Sequence, residues 1–250
     1  TATSIRNFCE SVGVARSESI VDLGMLEHAI RDDLDKNSPR AMCVLNPVIV
    51  VLTNFPDDHL EILSMANHPK VDEMGRRSVP LTKRVVIDRS DFEEVPPQGF
   101  KRLIAGGEVR LRGAYVIKCI DVIKDDAGNI IELHCSVDVD TLGKKPEGRK
   151  VKGVIHWVSE AKGVPLSVRL YDRLFNVENP ESKGIEDFRE FLNKDSLVEI
   201  TSCIAEPSIV EKGASSSYQF EREGYYCLDE KDSLENKLVF NRTITLRDSW

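Results

Sequence analysis

The sequence predicts a mainly β chain with a short helical lead-in. Three observations carry that expectation. Helical spacing of apolar residues is concentrated in the first forty or so positions. After Arg40 the chain becomes a succession of short β-branched and aromatic runs parted by turns. At 250 residues it is long for one domain and comfortable for two or three small ones. Many short strands with little helix between them point to antiparallel barrels or sandwiches, and the length leaves room for about two such units.

The elements follow in order. Ser4-Ile-Arg-Asn-Phe-Cys-Glu-Ser-Val12 offers apolar residues at helical spacing, and Met25, Leu26, Ala29, Ile30, Asp33 and Leu34 repeat at three and four. Asn37-Ser-Pro39 stops this second helix, because the residue before a proline is pushed out of the helical region. Val44-Leu-Asn-Pro-Val-Ile-Val-Val-Leu-Thr53 is β-branched and largely apolar, the composition of a strand. Val85–Asp88, Glu108–Arg112, Ala114–Lys118 and Ile130–Cys135 follow, with Asp125-Asp-Ala-Gly-Asn129 as a hairpin-type turn signal. Later strands are expected at Val154–Ser159, Leu166–Tyr171, Leu197–Cys203, Tyr218–Glu221, Tyr225–Leu228 and Phe240–Leu246, with one helix among them near Gly184–Leu192. No internal repeat is visible.

A composition of 41% hydrophobic and 30% charged residues supports buried cores and excludes a disordered chain. The net charge of −8 argues, taken alone, against a nucleic-acid binder, but the distribution of charge decides. Lys101, Arg102, Arg110, Arg112 and Lys118 stand against Glu108 alone, and Lys144, Lys145, Arg149, Lys150 and Lys152 against Glu147 alone. The acidity lies elsewhere, as in Asp32-Asp33-Leu34-Asp35. The six cysteines are scattered without a Cys-x-x-Cys, and neither a signal peptide nor a long apolar run is present, so a cytoplasmic protein with reduced thiols and no membrane partner is expected. Asp138-Val-Asp140 lacks the glycine and glutamate of a calcium loop, and no metal is expected. His156 and Trp157 read as packing residues, tryptophan serving as a junction anchor.

In Glu108-Val-Arg-Leu-Arg112, residues two apart share a strand face, so Arg110 and Arg112 point the same way while Val109 and Leu111 turn to a core. Guanidinium groups at that spacing can grip phosphates, fork onto base edges or stack on bases; they can equally be solvated or paired to Glu108.

Gly153-Val-Ile-His-Trp-Val-Ser159, Leu166-Ser-Val-Arg-Leu-Tyr-Asp-Arg-Leu-Phe175, Tyr218-Gln-Phe-Glu-Arg-Glu-Gly-Tyr-Tyr-Cys-Leu228 and Val239-Phe-Asn-Arg-Thr-Ile-Thr-Leu-Arg-Asp248, with Pro39-Arg-Ala-Met42, closely resemble the C-terminal half of the class I glutaminyl-tRNA synthetases. The resemblance runs from Ile5 to Trp250. It implies two consecutive antiparallel β-barrels of the ribosomal L25-like type behind a helical connector. The connector would be residues 1–39, the proximal barrel 40–56 and 152–250, and the distal barrel 57–151. It implies binding of the anticodon stem-loop of tRNA(Gln), by a monomer and with no DNA partner. Arg110 and Arg112 fall where the family contacts the first anticodon base, Lys101 and Arg102 at the third, a G, and Arg40, Gln219 and Arg222 around the middle U. Donors from arginine and a two-faced amide suit the pairing edge of a U. The chain departs from its bacterial relatives at Pro96-Pro-Gln-Gly-Phe100, where Gly99 offers no side chain and only Gln98 could substitute. Lys144, Lys145, Arg149, Lys150 and Lys152 read as a basic loop for the tRNA backbone.

The parent family joins glutamine to its tRNA with ATP and Mg. Its HIGH-like and KMSKS-like motifs do not occur here, nor does a P-loop, so no catalytic residue and no cofactor are expected in this chain. Two alternatives remain: the equivalent domain of an archaeal or eukaryotic glutamyl-tRNA synthetase, and a free-standing L25-like RNA-binding module.

Overall fold

The computed structural model describes residues 1–14, 16, 20–180, 187–211 and 215–247. Two helices, α1 (Ala2–Val12) and α2 (Leu23–Asn37), open the chain. Thr1 caps α1 by accepting from the Ser4 amide at 3.0 Å, and the Thr1 and Ser4 hydroxyls both donate to the buried Asp33 carboxylate of α2. Leu34 packs with Tyr225 and Ile244, which seats α2 on the β structure behind it.

Most of that β structure forms two seven-stranded sheets, with two further two-stranded pairs beside them. In barrel I the order is Arg40–Ala41, Ser217–Phe220, Gly224–Leu228, Leu238–Ile244, Val164–Tyr171, Leu197–Ala205, Cys43–Val44. In barrel II it is Val154–Ile155, Glu108–Leu111, Val116–Lys124, Ile130–Asp138, Pro47–Leu52, Arg84–Asp88, Val158–Ser159. One short segment occupies both ends of each order. Arg40-Ala-Met-Cys-Val44 pairs with Ser217–Phe220 through its first half and with Leu197–Ala205 through its second, which closes barrel I. Val154-Ile-His-Trp-Val-Ser159 does the same for barrel II, against Glu108–Leu111 and Arg84–Asp88. Closure removes the exposed edges that an open sheet would leave.

The two barrels share one pattern of pairings. Reading along either order, the sequence is parallel, antiparallel, antiparallel, parallel, antiparallel, antiparallel. Each is therefore a hairpin, a three-stranded meander and a split closing segment. In barrel I the closing segment precedes the hairpin in sequence, and in barrel II it follows the meander. This permuted relation is a structural repeat, and the two parallel pairings in each sheet qualify the expectation of purely antiparallel barrels.

The closing segment of barrel I also lies between the cores. Ala41, Cys43 and Leu45 face the core of barrel I, with Leu166, Phe220, Tyr226 and Phe240. Met42 and Val44 face the larger core of barrel II, with Leu52, Leu81, Leu111 and Trp157. Alternation along a strand sends successive side chains to opposite faces, and here both faces are interior.

The expected strands are present, with two differences. A hairpin of Leu60–Ala66 and Arg76–Thr82 was not anticipated: Leu-Glu-Ile-Leu-Ser-Met-Ala is helix-favouring, and Pro80 sits inside the second strand, tolerable because each strand has a free edge. Of the helix expected near 184–192, residues 184–186 lie outside the described residues, and Phe188–Phe191 forms a 3-10 turn. The strands pass from barrel I to barrel II between Val44 and Pro47 and return between Ser159 and Val164, Pro47–Leu52 pairing with Arg84–Asp88 and Ile130–Asp138.

Gly153 sits at φ 90° immediately before the closing segment, and a Cβ there would lie 1.8 Å from the Lys101 carbonyl oxygen. At Gly99, with φ 84°, a Cβ would meet nothing within 4 Å. Gly153→Ala is expected to cost about 2 to 4 kcal/mol, from strain and displaced backbone together, and Gly99→Ala only about 1 kcal/mol. Urea unfolding midpoints of the two variants check the contrast.

Candidate nucleic-acid interface

Charged side chains concentrate where the barrels meet. Asp91 lies in the 3-10 turn Arg89–Asp91 that follows the strand Arg84–Asp88, and it is fully buried. Arg222 reaches it from barrel I and donates through Nη1 to Oδ2 at 2.5 Å and through Nη2 to Oδ1 at 2.6 Å. This bidentate fork is the strongest geometry a carboxylate and a guanidinium can adopt. Arg222 holds φ 73° in the turn between Ser217–Phe220 and Gly224–Leu228, a strained backbone for a residue with a side chain. Arg102 approaches the same carboxylate, its Nε 3.2 Å from Oδ1, and donates through Nη1 to the Ser90 carbonyl at 2.8 Å.

A second relay lies beside the first. Arg112 pairs with Glu221, which also accepts from Arg77 at 3.2 Å; Arg77 donates to Glu206 at 2.5 Å, and Glu206 accepts from the Met42 amide at 3.1 Å. Arg77, Glu206 and Glu221 are buried, whereas Arg112 leaves 45% of its side chain exposed and so presents a cation to solvent at the end of the relay. Arg77 and Arg112 belong to barrel II, Glu206 and Glu221 to barrel I.

Val109 and Leu111 are buried, as the alternation predicts, and Arg110 and Arg112 lie on the more open side of the strand but spend their guanidinium groups differently. The Arg110 guanidinium donates to the carbonyls of Ala114, Thr141 and Lys144 and so pins the start of the basic loop, while Arg112 lies past the end of the strand Glu108–Leu111. Arg40 is buried and donates to the carbonyls of Ser38 at 2.6 Å and Asp35 at 3.2 Å and to the Asp35 carboxylate at 2.6 Å, a cation at the C-terminus of α2. Gln219 is its partner across the parallel bridge, and the Gln219 amide donates to the Tyr225 hydroxyl at 2.8 Å. Arg222 pairs with neither Glu221 nor Glu223; its partner comes from the other barrel.

The two basic clusters of the sequence meet in one groove of about 460 Å³. Lys101, Arg102, Lys118, Lys150 and Lys152 line it, with Glu108 as the acid present; Pro96, Pro97 and Phe100 supply apolar surface. The absence of a side chain at Gly153 lets the two segments approach. Arg149 leans away, paired to Glu108 at 2.9 Å and to Asp138. Lys144 and Lys145 are exposed outside the groove lining.

His156 is fully buried between the barrels. Its Nδ1 lies 3.2 Å from Arg222 Nη1, and since the guanidinium can only donate, Nδ1 accepts. Burial, reinforced by Arg222, pushes its pKa down to about 4 and keeps the ring neutral. Trp157 donates from Nε1 to the Arg112 carbonyl at 2.9 Å and holds the backbone from which Arg112 projects. Glu223 lies beside them, Oε1 3.9 Å from His156 Nε2, and burial together with Asp88 pushes its pKa up to about 7.

Residues 38–138 match the family model described as tRNA synthetases class I (E and Q), anti-codon binding domain, and residues 154–229 match a second model of the same description. The chain belongs to this anticodon-binding family. Over its whole length it is 58% identical to the glutamine–tRNA ligase of Stutzerimonas stutzeri, 59% to that of Ectopseudomonas mendocina and 57% to that of Azotobacter vinelandii, covering 45% of each. The chain thus spans a little under half the length of the curated relatives it matches.

The anticodon-binding chain holds residues that sequence reading did not single out. Asp91, Arg77 and Glu206 carry no local signal, since each is defined by a partner far along the chain, 131 positions away for Asp91 and Arg222 and 129 for Arg77 and Glu206. Among the described residues no group of three or more His, Cys, Asp and Glu is arranged to hold a metal, and no helix is long and apolar enough to cross a membrane.

The Glu223 carboxyl keeps its proton to about pH 7 when folded and releases it near 4.5 when unfolded. Between these values the folded state binds more protons, so this group's contribution to stability falls as pH rises. Glu223→Gln removes that slope. Relative to the parent chain, the variant is expected to gain stability from about pH 4.5 to about pH 7 and to hold a constant difference above. Urea midpoints across that range check it; a difference independent of pH would contradict the shift.

Proposed function

We propose that this chain reads the glutamine anticodon of tRNA(Gln) as the anticodon-binding part of a glutamine–tRNA ligase. The observation that carries the reading is the groove in which Lys101, Arg102, Lys118, Lys150 and Lys152 converge against Glu108, opening beside the Arg102–Asp91–Arg222 cluster. A cationic groove with an apolar wall suits a splayed nucleotide, phosphate on one side and base on the other. Lys101 and Arg102 take the third base; Arg112, backed by Arg110, takes the first; Gln219 and Arg222 meet the middle base on a frame held by Arg40. Gln98 stands in for the side chain missing at Gly99. Lys150 and Lys152 contact the backbone, with Lys144, Lys145 and Arg149 on its approach. The double barrel, divided into proximal and distal units behind the helical connector, works as a cytoplasmic monomer. Ligation of glutamine, with ATP and Mg, is the activity proposed for the whole protein and rests on residues outside this chain. The printed names of the relatives and the match to both family models favour this reading over a free-standing RNA-binding module.

Binding to anticodon stem-loops tests it. Arg102→Ala is expected to weaken a loop with G at the third position by about 5- to 100-fold and to spare one with A there. Lys150→Ala is expected to weaken both alike and to reduce the salt slope by about one. Identical behaviour of the two variants would overturn the division between base and backbone contacts.

A further inference from the structure

We infer that Asp91 is a positioning residue that couples recognition of the middle and third anticodon bases. The inference rests on the proposed assignment of Arg222 and Arg102 to those bases. The two arginines come from different barrels, yet both meet Asp91 Oδ1, Arg222 through a hydrogen bond of 2.6 Å and Arg102 through an ion pair at 3.2 Å. Asp91 is fully buried, and no solvent competes for the shared oxygen. Arg222 is committed further, with Nη1 on Oδ2 and against His156 Nδ1, so its guanidinium plane is fixed by three contacts on one side. Arg102 is freer, 41% exposed and leaning on Ser90.

A carboxylate oxygen shared by two cations makes the position of each depend on the other. If a base draws Arg102 outward, Oδ1 is left to Arg222 alone and their bond tightens. If a middle base shifts Arg222, the oxygen that orients Arg102 moves with it. Residues within one hydrogen-bonded network behave non-additively for this reason. The neighbouring Asp88 and Glu223 carboxylates and the neutral His156 leave Asp91 as the one acidic group paired with both arginines among the described residues.

The test measures binding of the chain to three stem-loops: the glutamine anticodon, its third base changed to A, and its middle base changed to C. Asp91→Asn keeps the shape and removes the charge. Discrimination at both positions is expected to fall together, each by about threefold or more, while the salt slope, set by backbone contacts, stays unchanged. A purely structural role would instead lower affinity for all three loops alike. Loss at one position only, or at neither, would overturn the inference. Should Asp91→Asn fail to fold, the cycle of Arg102→Ala, Arg222→Ala and the double variant decides. Coupling requires that Arg222→Ala reduce discrimination at the third base and that the two effects be non-additive there; additive effects overturn it. If Arg102→Ala alone leaves third-base discrimination intact, the base assignment itself is wrong and the coupling falls with it.

Discussion

Backbone pairing of the two split segments, 40–44 and 154–159, is the constraint on which the rest of the structure depends. Each segment forms both ends of its sheet, so a barrel exists only when its segment is seated on both sides. Both segments also lie at the junction: Met42 and Val44 enter the core of barrel II from a strand of barrel I, and Trp157 holds the Arg112 backbone from the closing segment of barrel II. Closure and docking of the barrels are therefore a single event of packing. Arg40 and His156, one on each segment, are buried as a consequence: the Arg40 guanidinium is spent on the end of α2, and the His156 ring lies against Arg222.

Buried ion pairs then set where the exposed cations stand. The Arg112–Glu221–Arg77–Glu206 relay crosses the junction and ends on the Met42 amide. Desolvation of such charges offsets most of their attraction, so the relay adds little net stability, but removing one partner strands the others at a cost of about 3–5 kcal/mol. Its effect is geometric. Arg112 and Arg222 are held by acids of the opposite barrel, and a change in how the barrels dock would move both. The proposed reading of three successive nucleotides needs fixed spacing between the donors, and these cross-barrel pairs set the spacing of Arg112 and Arg222.

Much of this was legible in the sequence, and the rest was hidden for identifiable reasons. Strands such as Ile130–Asp138 and Gly224–Leu228 stand out because β-branched and aromatic residues dominate them. The Leu60–Ala66 strand does not, because the outward-facing Leu60 and Ile62 are apolar too and hide the alternation that buries Leu63 and Met65. The permuted repeat is a property of pairing order, which local pattern cannot express. The cations of the groove were visible as two clusters; that they form one site depends on Gly153, whose role is a close approach to Lys101. Arg40 could be read as a helix cap or as a base contact, and its bonds to the end of α2 show the cap. Asp91 was invisible, since its partner Arg222 lies in the other barrel.

Calorimetric unfolding tests most directly whether the two barrels and their junction form one cooperative body. A single transition with equal calorimetric and van't Hoff enthalpies is expected, and Arg77→Met, which strips Glu206 and Glu221 of their shared partner, should lower it as a whole. Two resolved transitions, or a van't Hoff enthalpy well below the calorimetric one, would contradict this. The barrels would then unfold independently, and the guanidinium groups at their junction would have no fixed spacing with which to read successive bases.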